Sequence, residues 1–175
     1  MDATCDSSIW GLFAFGMYKA NDARLVASME TLRKRLWVKT RVGGMARYED
    51  DPYQRVSQEV TGNPWFICTL WLADYLLEKA ENDEGPDQAL EILSWVTDHA
   101  LPSGVLAEQI NPLTGEPISV SPLTWSHATY ITTIHRLLRH LTQRRAIPNT
   151  HLSQEDWITR LFSQTCDSIH GICEI

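Results

Sequence analysis

Glu108 is the residue in this 175-residue chain whose surroundings best suit acid–base chemistry. It stands near the end of a short loop, residues 103–109, in which Gly104 gives the backbone freedom. Pro102 before the loop and Gly115 after it belong to turn sequences, so turns hold both sides of the carboxylate. A carboxylate on such a loop suits a general base. The alternative is a solvated loop glutamate, which is the common situation for this residue type.

A second loop, residues 43–53, also carries chemically useful side chains. It contains two glycines, three acidic residues, an arginine and two tyrosines, without helical spacing. One interpretation is a loop whose polar side chains bind a ligand. The other is an internally paired turn, in which Arg47 pairs with Glu49 or Asp51. The sequence alone leaves both open.

The composition indicates a globular protein and argues against two classes of partner. Hydrophobic residues make up 43% of the chain and charged residues 21%, which are globular values. The net charge is -7 and there is no long run of lysine or arginine, so we expect neither nucleic acid nor an anionic membrane as partner. Seven tryptophans suit either a core or the stacking face of a sugar site.

The amino terminus has neither a basic start nor a continuous apolar segment, so we expect no secretory leader and a cytoplasmic location. No stretch has the roughly 18 apolar residues of a membrane span. The four cysteines are then expected to be free thiols. The spacing of Cys166, His170 and Cys173 fits no usual pair of zinc ligands, so the sequence predicts no metal.

Hydrophobic periodicity predicts an all-α chain of about six helical segments. A short apolar segment covers about residues 6–18, and Asn21-Asp22 caps a helix with one apolar face. A helix apolar on all sides is expected from Asn63 as cap and Pro64 to about residue 81. An amphipathic helix at about 86–100, an inner helix at about 122–141 and a terminal helix at about 153–171 follow.

These helices alternate between outer and inner, which places the polar loops at one end of a layered helical assembly. His127 and His135 are candidate bases or ligands, but histidines on a partly apolar helix more often have structural roles. We find no strand-like alternation, dinucleotide fingerprint, nucleophile elbow or phosphate loop.

Four ordered segments resemble the glycoside hydrolase family 15 enzymes, which are glucoamylases, glucodextranases and related bacterial trehalases. The segments are Arg47-Tyr48-Glu49-Asp50-Asp51-Pro52-Tyr53, Gly62-Asn63-Pro64-Trp65-Phe66-Ile67-Cys68-Thr69-Leu70, Gly104-Val105-Leu106-Ala107-Glu108-Gln109 and Pro122-Leu123-Thr124-Trp125-Ser126-His127-Ala128. The likeness covers about residues 2–141 of what we take as one partial domain over residues 1–175. It implies an (α/α)6 barrel and inverting, exo-acting hydrolysis of α-glucosidic bonds, a two-carboxylate reaction for which we expect no cofactor.

The resemblance also implies roles for individual residues. Glu108 matches the general base that activates water. Arg47 and Asp51 match residues that hold the glucosyl unit of an α-glucan or oligosaccharide. The remaining matched positions line the pocket or support its carboxylates: Tyr48, Tyr53, Trp65, Gln109 and Trp125. Ala107 departs from the proline that bacterial members commonly carry.

A larger departure is that the matched segments contain no general acid. In this family the general acid comes from a segment upstream of them. Inversion requires two carboxyl groups separated by roughly 6.5–9.5 Å, and the sequence places none of Glu49, Asp50 or Asp51 at that distance. We therefore expect the chain to be the carboxy-terminal half of the barrel, inactive without its amino-terminal partner. Half a barrel also leaves an apolar surface uncovered.

Two other classes of function remain. The regulatory subunits of phosphorylase kinase resemble the same family, so a non-catalytic carbohydrate-binding or regulatory module is an alternative. A helical-repeat interaction protein with accidental motif matches is another.

Overall fold

The computed structural model describes residues 3–80 and 84–145. The chain divides into two compact units, residues 1–141 and 142–175. Nearly all of the second lies outside the described residues, as do the predicted helix at 153–171, Cys166, His170 and Cys173. The description below concerns the first unit.

The described residues are mainly helical. A 3-10 turn at Ser7–Trp10 leads into α1, Gly11–Ala14, and α2 follows at Ala23–Leu36. The longer helices are α3 at Phe66–Lys79, α4 at Glu84–Asp98 and α5 at Thr124–Arg145. Two short strands, β1 at Gln109–Ile110 and β2 at Pro117–Ile118, form an antiparallel hairpin. The mainly helical class is confirmed, and the hairpin is an addition that the sequence analysis did not predict.

Helices α2 and α4 each bury one face, as their spacing predicts. The buried side of α2 consists of Leu25, Met29, Leu32 and Leu36, and the side chain of Asp22 caps its first turn. The buried side of α4 includes Ile92, Leu93 and Val96. By contrast, nearly every residue of α3 is buried, including the polar Thr69 and Asp74. Helix α3 is therefore the inner element of the described core, and α4 packs against it.

The prediction that Asn63 caps α3 is wrong. The helix begins at Phe66, and its N-cap, Trp65, is extended and makes no side-chain cap. Trp65 is held in this conformation because its N–H donates to Met45 O at 2.9 Å. The Phe66 N–H donates to Glu108 O at 3.3 Å. A neighbouring loop thus provides an acceptor for the first N–H group of the helix, which has none within the helix.

Helix α5 is less enclosed than predicted for an inner helix. It buries Ser126, Thr129, Thr133 and Leu137, but Trp125 and Ile131 are exposed. Its first residue is Thr124, so Pro122, after a cis peptide bond, precedes the helix instead of starting it. Within the described residues, one face of α5 is thus left uncovered.

Strand-like bridges connect the loops at the start of α3. Isolated antiparallel bridges pair Trp37 with Met45, Ala46 with Pro64, and Trp65 with Gln109. Gly44 makes this arrangement possible, because it has φ +83° and a Cβ there would lie 2.5 Å from the Trp95 ring. The two polar loops predicted from the sequence are therefore joined through their backbones.

Candidate functional site

The backbone of Glu108 is fixed on both sides. Its N–H donates to Val120 O at 2.9 Å, and its carbonyl accepts from the Phe66 N–H. The preceding residues are attached to the start of α5, where Ser126 Oγ donates to Ala107 O at 2.7 Å. Glu108 thus lies where the hairpin, α3 and α5 meet.

His127 contributes to the same attachment. Its Nε2 accepts from the Leu106 N–H at 3.0 Å, so this nitrogen carries no proton and is occupied. The geometry favours the structural role for His127 over that of a base or ligand.

The two oxygens of the Glu108 carboxylate differ in their surroundings. Oε2 accepts from Ser119 Oγ at 2.5 Å and from Gln109 Nε2 at 3.4 Å. Oε1 accepts no hydrogen bond from the residues that the structure describes. Glu108 is half-buried. The carboxylate is therefore held through one oxygen while the other is available for chemistry.

Arg47 and Asp51 form a two-pronged ion pair, one of the two pairings considered for this loop. Arg47 Nε lies 2.7 Å from Asp51 Oδ2, and the second contact, Nη2 to Oδ1, is 2.8 Å. Asp51 is only 2% exposed, and its hydrogen bonds raise the pKa of the Arg47 guanidinium. A fork of this type is strong and fixes the plane of the guanidinium.

Aromatic rings surround the Arg47 guanidinium. Its central carbon lies 4.5 Å from the ring centroid of Trp65, 4.9 Å from that of Tyr48 and 5.4 Å from that of Tyr53. These distances allow cation–π attraction. Four of the predicted site residues, with Asp51 as a fifth, thus form one cluster.

Ser119 connects this cluster to Glu108. Its hydroxyl lies 3.2 Å from Tyr53 Oη. Because a carboxylate only accepts, the Ser119 proton points to Glu108 and the Tyr53 hydroxyl donates to Ser119. A continuous path of side-chain contacts therefore runs from Glu108 through Ser119 and Tyr53 to Arg47.

Gln109 and Asn63 lie behind the carboxylate. Gln109 is 0% exposed, and its Oε1 accepts from Asn63 Nδ2 at 2.9 Å. Gln109 thus contacts the Glu108 carboxylate, and its direct contact with a ligand stays a prediction from the resemblance.

Trp125 belongs to a different aromatic group. Its ring is 54% exposed and lies 5.7 Å from that of Trp71, which stacks on Trp10 at 4.8 Å. An open indole face near the start of α5 suits sugar stacking.

Non-glycine residues with positive φ lie beside the candidate site residues. Three non-glycine residues in the described chain have positive φ: Asp50 at 57°, Gln54 at 55° and Ser119 at 67°. They adjoin Asp51, Tyr53 and the hydrogen bond to Glu108. Residues in such conformations cluster at functional sites, where the surrounding structure enforces them.

The sequence analysis missed Ser119 and misassigned Asn63. A signal for Ser119 was present, because Asn111-Pro112-Leu113-Thr114-Gly115 is turn chemistry. If that turn closes a hairpin, residue 118 lies opposite Gln109, as observed, and Ser119 comes near Glu108. No comparable signal exists for Asn63, because the cap pattern gave a sufficient local explanation.

In the described residues, no group of histidine, cysteine or acidic side chains is arranged to hold a metal ion. No helix in this part of the chain is long and apolar enough to cross a membrane. Cys5 and Cys68 are free thiols, and burial raises the pKa of the Cys68 thiol.

Known proteins resemble the chain in both sequence and fold. The family model described as glycosyl hydrolases family 15 matches residues 87–135. An uncharacterized glycosyl hydrolase of Methanocaldococcus jannaschii is 35% identical over 141 residues, which are 75% of this chain and 22% of the relative. The chain thus spans about a fifth of the length of this curated relative.

Among solved structures, a bacterial glucoamylase complexed with acarbose matches with a TM-score of 0.67 and 24% identity, over 78% of this chain and 21% of its own. Hormoconis resinae glucoamylase matches with a TM-score of 0.59 and 19% identity, over 85% of this chain and 35% of its own. At these identities the likeness establishes the fold. The family match, the curated relative and the shared fold together identify a glycosyl hydrolase family 15-like chain, with the fold of part of a glucoamylase (α/α)6 barrel.

Proposed function

We propose that the chain supplies the general-base side of an inverting, exo-acting α-glucosidase, with Glu108 as the base. The observation that carries the proposal is the unequal environment of the carboxylate, in which Oε2 is held and Oε1 is available. In the proposed reaction, Oε1 accepts a proton from water as the water oxygen attacks the anomeric carbon. A general acid on the opposite side of the bond protonates the leaving oxygen.

The cluster around Arg47 is the proposed binding site for the glucosyl unit. The guanidinium fork is fixed by Asp51, which leaves its outer edge to donate to sugar hydroxyls. Trp65 and Tyr53 supply ring surface beside it. Two proteins of similar fold bind sugars: the bacterial glucoamylase is complexed with acarbose, and a further glycosidase is in complex with glucose. This glycosidase is 21% identical, with a TM-score of 0.64 over 78% of this chain and 36% of its own. Both ligands are consistent with a sugar ligand here.

The general acid is proposed to come from outside the described residues. The three acids of the neighbouring loop all face arginines: Asp51 faces Arg47, Glu49 lies 2.6 Å from Arg35, and Asp50 lies 3.1 Å from Arg55. A carboxylate held in an ion pair is a poor proton donor. The missing partner is accordingly the amino-terminal part of the barrel, and we expect the chain alone to be inactive.

A chimera tests this proposal. Residues 3–145 would replace the matching region of the Methanocaldococcus jannaschii relative, which supplies the remainder of a glycosyl hydrolase. We expect glucose release from maltooligosaccharides, and a loss of about 10²–10⁴-fold in Glu108→Gln because a general base is removed. Glu91→Gln, on the exposed face of α4, is the control. Turnover that survives Glu108→Gln would exclude Glu108 as the base.

The alternative is a non-catalytic sugar-binding or regulatory module. The observation that favours it is that Glu49, Asp50 and Asp51 each face an arginine. None of these three acids is therefore placed to serve as the general acid. Titration calorimetry of the 175-residue chain with acarbose and maltose, alongside glucose assays on the chimera, separates the two. Binding without hydrolysis in the chimera supports the module, and hydrolysis supports the enzyme.

A further inference from the structure

We propose that Asn63 is a positioning residue for Glu108, which acts by fixing the orientation of the Gln109 side-chain amide. The inference rests on the proposed function in that it gives Asn63 a part in preparing the base. It is argued from the direction of four hydrogen bonds.

Two backbone groups determine how the Asn63 amide is turned. The Val56 N–H donates to Asn63 Oδ1 at 3.2 Å, and Asn63 Nδ2 donates to Gln54 O at 2.8 Å. A backbone N–H can only donate and a backbone carbonyl can only accept. Both contacts therefore require the same orientation. Asn63 is buried, so the loss of either partner would be costly.

The orientation passes from Asn63 to Gln109. The second Nδ2 proton of Asn63 points to Gln109, so the atom that faces Asn63 must be the acceptor Oε1. The Gln109 Nε2 group then lies toward Glu108 Oε2. A reversed Gln109 amide would place one carbonyl against the carboxylate and one N–H2 group against the N–H2 group of Asn63, and both contacts are repulsive.

These hydrogen bonds form a relay, which runs from the backbone of Gln54 and Val56 through Asn63 and Gln109 to Glu108. The relay couples the proposed sugar-binding loop to the base. Its fixed end is the backbone at Gln54 and Val56, directly after Tyr53, and Gln54 is one of the strained residues. Its other end is the carboxylate oxygen that is held. The conformation of the loop that contains Arg47 and Tyr53 thus determines which Gln109 atom Glu108 meets.

The experiment follows the Gln109 side-chain amide in the 175-residue chain, labelled with 15N-glutamine. Loss of a signal pair in Gln109→Leu identifies its two Nε2 protons. We expect Glu108→Gln to shift this pair, because the amide faces the carboxylate. In Asn63→Ser, whose hydroxyl is too short to reach Gln109, we expect Glu108→Gln to shift the pair much less.

Asn111→Ser is the matched control. Asn111 is two residues from Gln109, but its side chain accepts from the N–H groups of Leu113 and Thr114 in the hairpin. The response to Glu108→Gln is expected to persist in this variant. Two results would overturn the relay. One is a full shift of the Gln109 signal pair by Glu108→Gln in folded Asn63→Ser, and the other is an equal loss of that shift in Asn111→Ser.

Circular dichroism establishes whether each variant folds. If Asn63→Ser does not, Asn63→Asp retains the acceptor for the Val56 N–H and the size of the side chain. Its carboxylate cannot donate to Gln109, so we expect the Gln109 amide to reverse and the response to be lost. A full response in Asn63→Asp counts against the relay. No sugar is hydrolysed in these measurements, so they test the relay independently of catalysis. The relay can be supported when the chimera excludes Glu108 as the base. It can also be overturned when the chimera supports Glu108 as the base.

Discussion

Ser119 combines an unfavourable backbone conformation with a hydrogen bond to the candidate base. Its φ of 67° lies in the left-handed region, which costs an ordinary residue about 1–2 kcal/mol relative to the right-handed conformation. Ser119→Ala removes the hydroxyl and keeps that cost, whereas Ser119→Gly removes both. We therefore expect Ser119→Gly to be more stable than Ser119→Ala by roughly 1 kcal/mol in urea unfolding.

Both substitutions remove the same donor from Glu108 Oε2. In the chimera described above they should therefore lower the rate of glucose release to a similar extent, in spite of their different stabilities. A rate that follows stability instead would show that the hydroxyl has no part in positioning the carboxylate.

At this scale charged pairs were easier to predict than uncharged ones. The pairing of Arg47 with Asp51 was one of two pairings in one of the two interpretations of the loop, because opposite charges four positions apart are easily recognised. Ser119 and Asn63 carry no charge, and their partners lie 11 and 46 positions away. Such contacts depend on how the loops fold together, which periodicity does not describe.

At the scale of elements, Asp74 joins α3 to α5 inside the core. It is 2% exposed and accepts from Thr133 Oγ1 at 2.9 Å, and Arg136 lies 3.9 Å away. Burial raises the pKa of this carboxyl above its usual value of 3.8, against the effect of these two partners. The folded chain therefore binds the Asp74 proton more tightly than the unfolded chain.

The resulting pH dependence has a definite sign. The stabilising contribution of protonated Asp74 is complete below pH 3.8 and is lost as the pH rises through the higher pKa of the folded state. Asp74→Asn lacks this titration, so its unfolding free energy relative to the original chain should increase as the pH rises. Urea unfolding across this range measures it. A stability difference between the two proteins that does not change with pH would contradict this prediction.

Glycines in the site loops offer a second comparison between elements. Both Gly44 and Gly104 have positive φ, but a Cβ at Gly44 meets Trp95 and Pro64, whereas nothing lies within 4 Å at Gly104. Gly104→Ala should cost only the backbone strain, about 1 kcal/mol. Gly44→Ala adds overpacking of about 1–3 kcal/mol. Thermal and urea unfolding would detect the difference, and equal losses would contradict it.

The helices were predictable and the short strands were not. Helix α2 and its Asp22 cap follow from apolar spacing and a local hydrogen bond, which are both encoded within a few residues. The hairpin has strands of two residues each, too short for alternation to be visible. The start of α3 was misplaced because the Trp65 N–H, held by Met45 O in an extended conformation, overrides the local preference of Asn63 and Pro64.

At the scale of the whole molecule, several large apolar side chains are exposed. Phe15 is 84% exposed and Ile131 56%, in addition to Trp125. The chain spans only part of its relatives, and we expect the remaining barrel helices to cover some of this surface. The sequence analysis predicted an uncovered apolar surface from the helix count, and we expect it to include these residues.

Dye binding tests that expectation. The 175-residue chain should enhance the fluorescence of anilinonaphthalene sulfonate at neutral pH, because the dye binds exposed apolar surface. Ile131→Thr should reduce the signal, since it makes the exposed face of α5 more polar. Leu113→Thr, in the hairpin turn, is the control. An absence of dye binding by the folded chain would contradict the expectation.

The hairpin also determines where foreign sequence can be added. The Asn111 N–H donates to Glu116 O at 2.7 Å, which closes the loop on the side that leads to Glu108. Leu113 and Thr114 lie beyond this closure and are exposed. A purification tag or a fluorophore attachment point inserted between them would extend away from the carboxylate, whereas one inserted beside Ser119 would displace it.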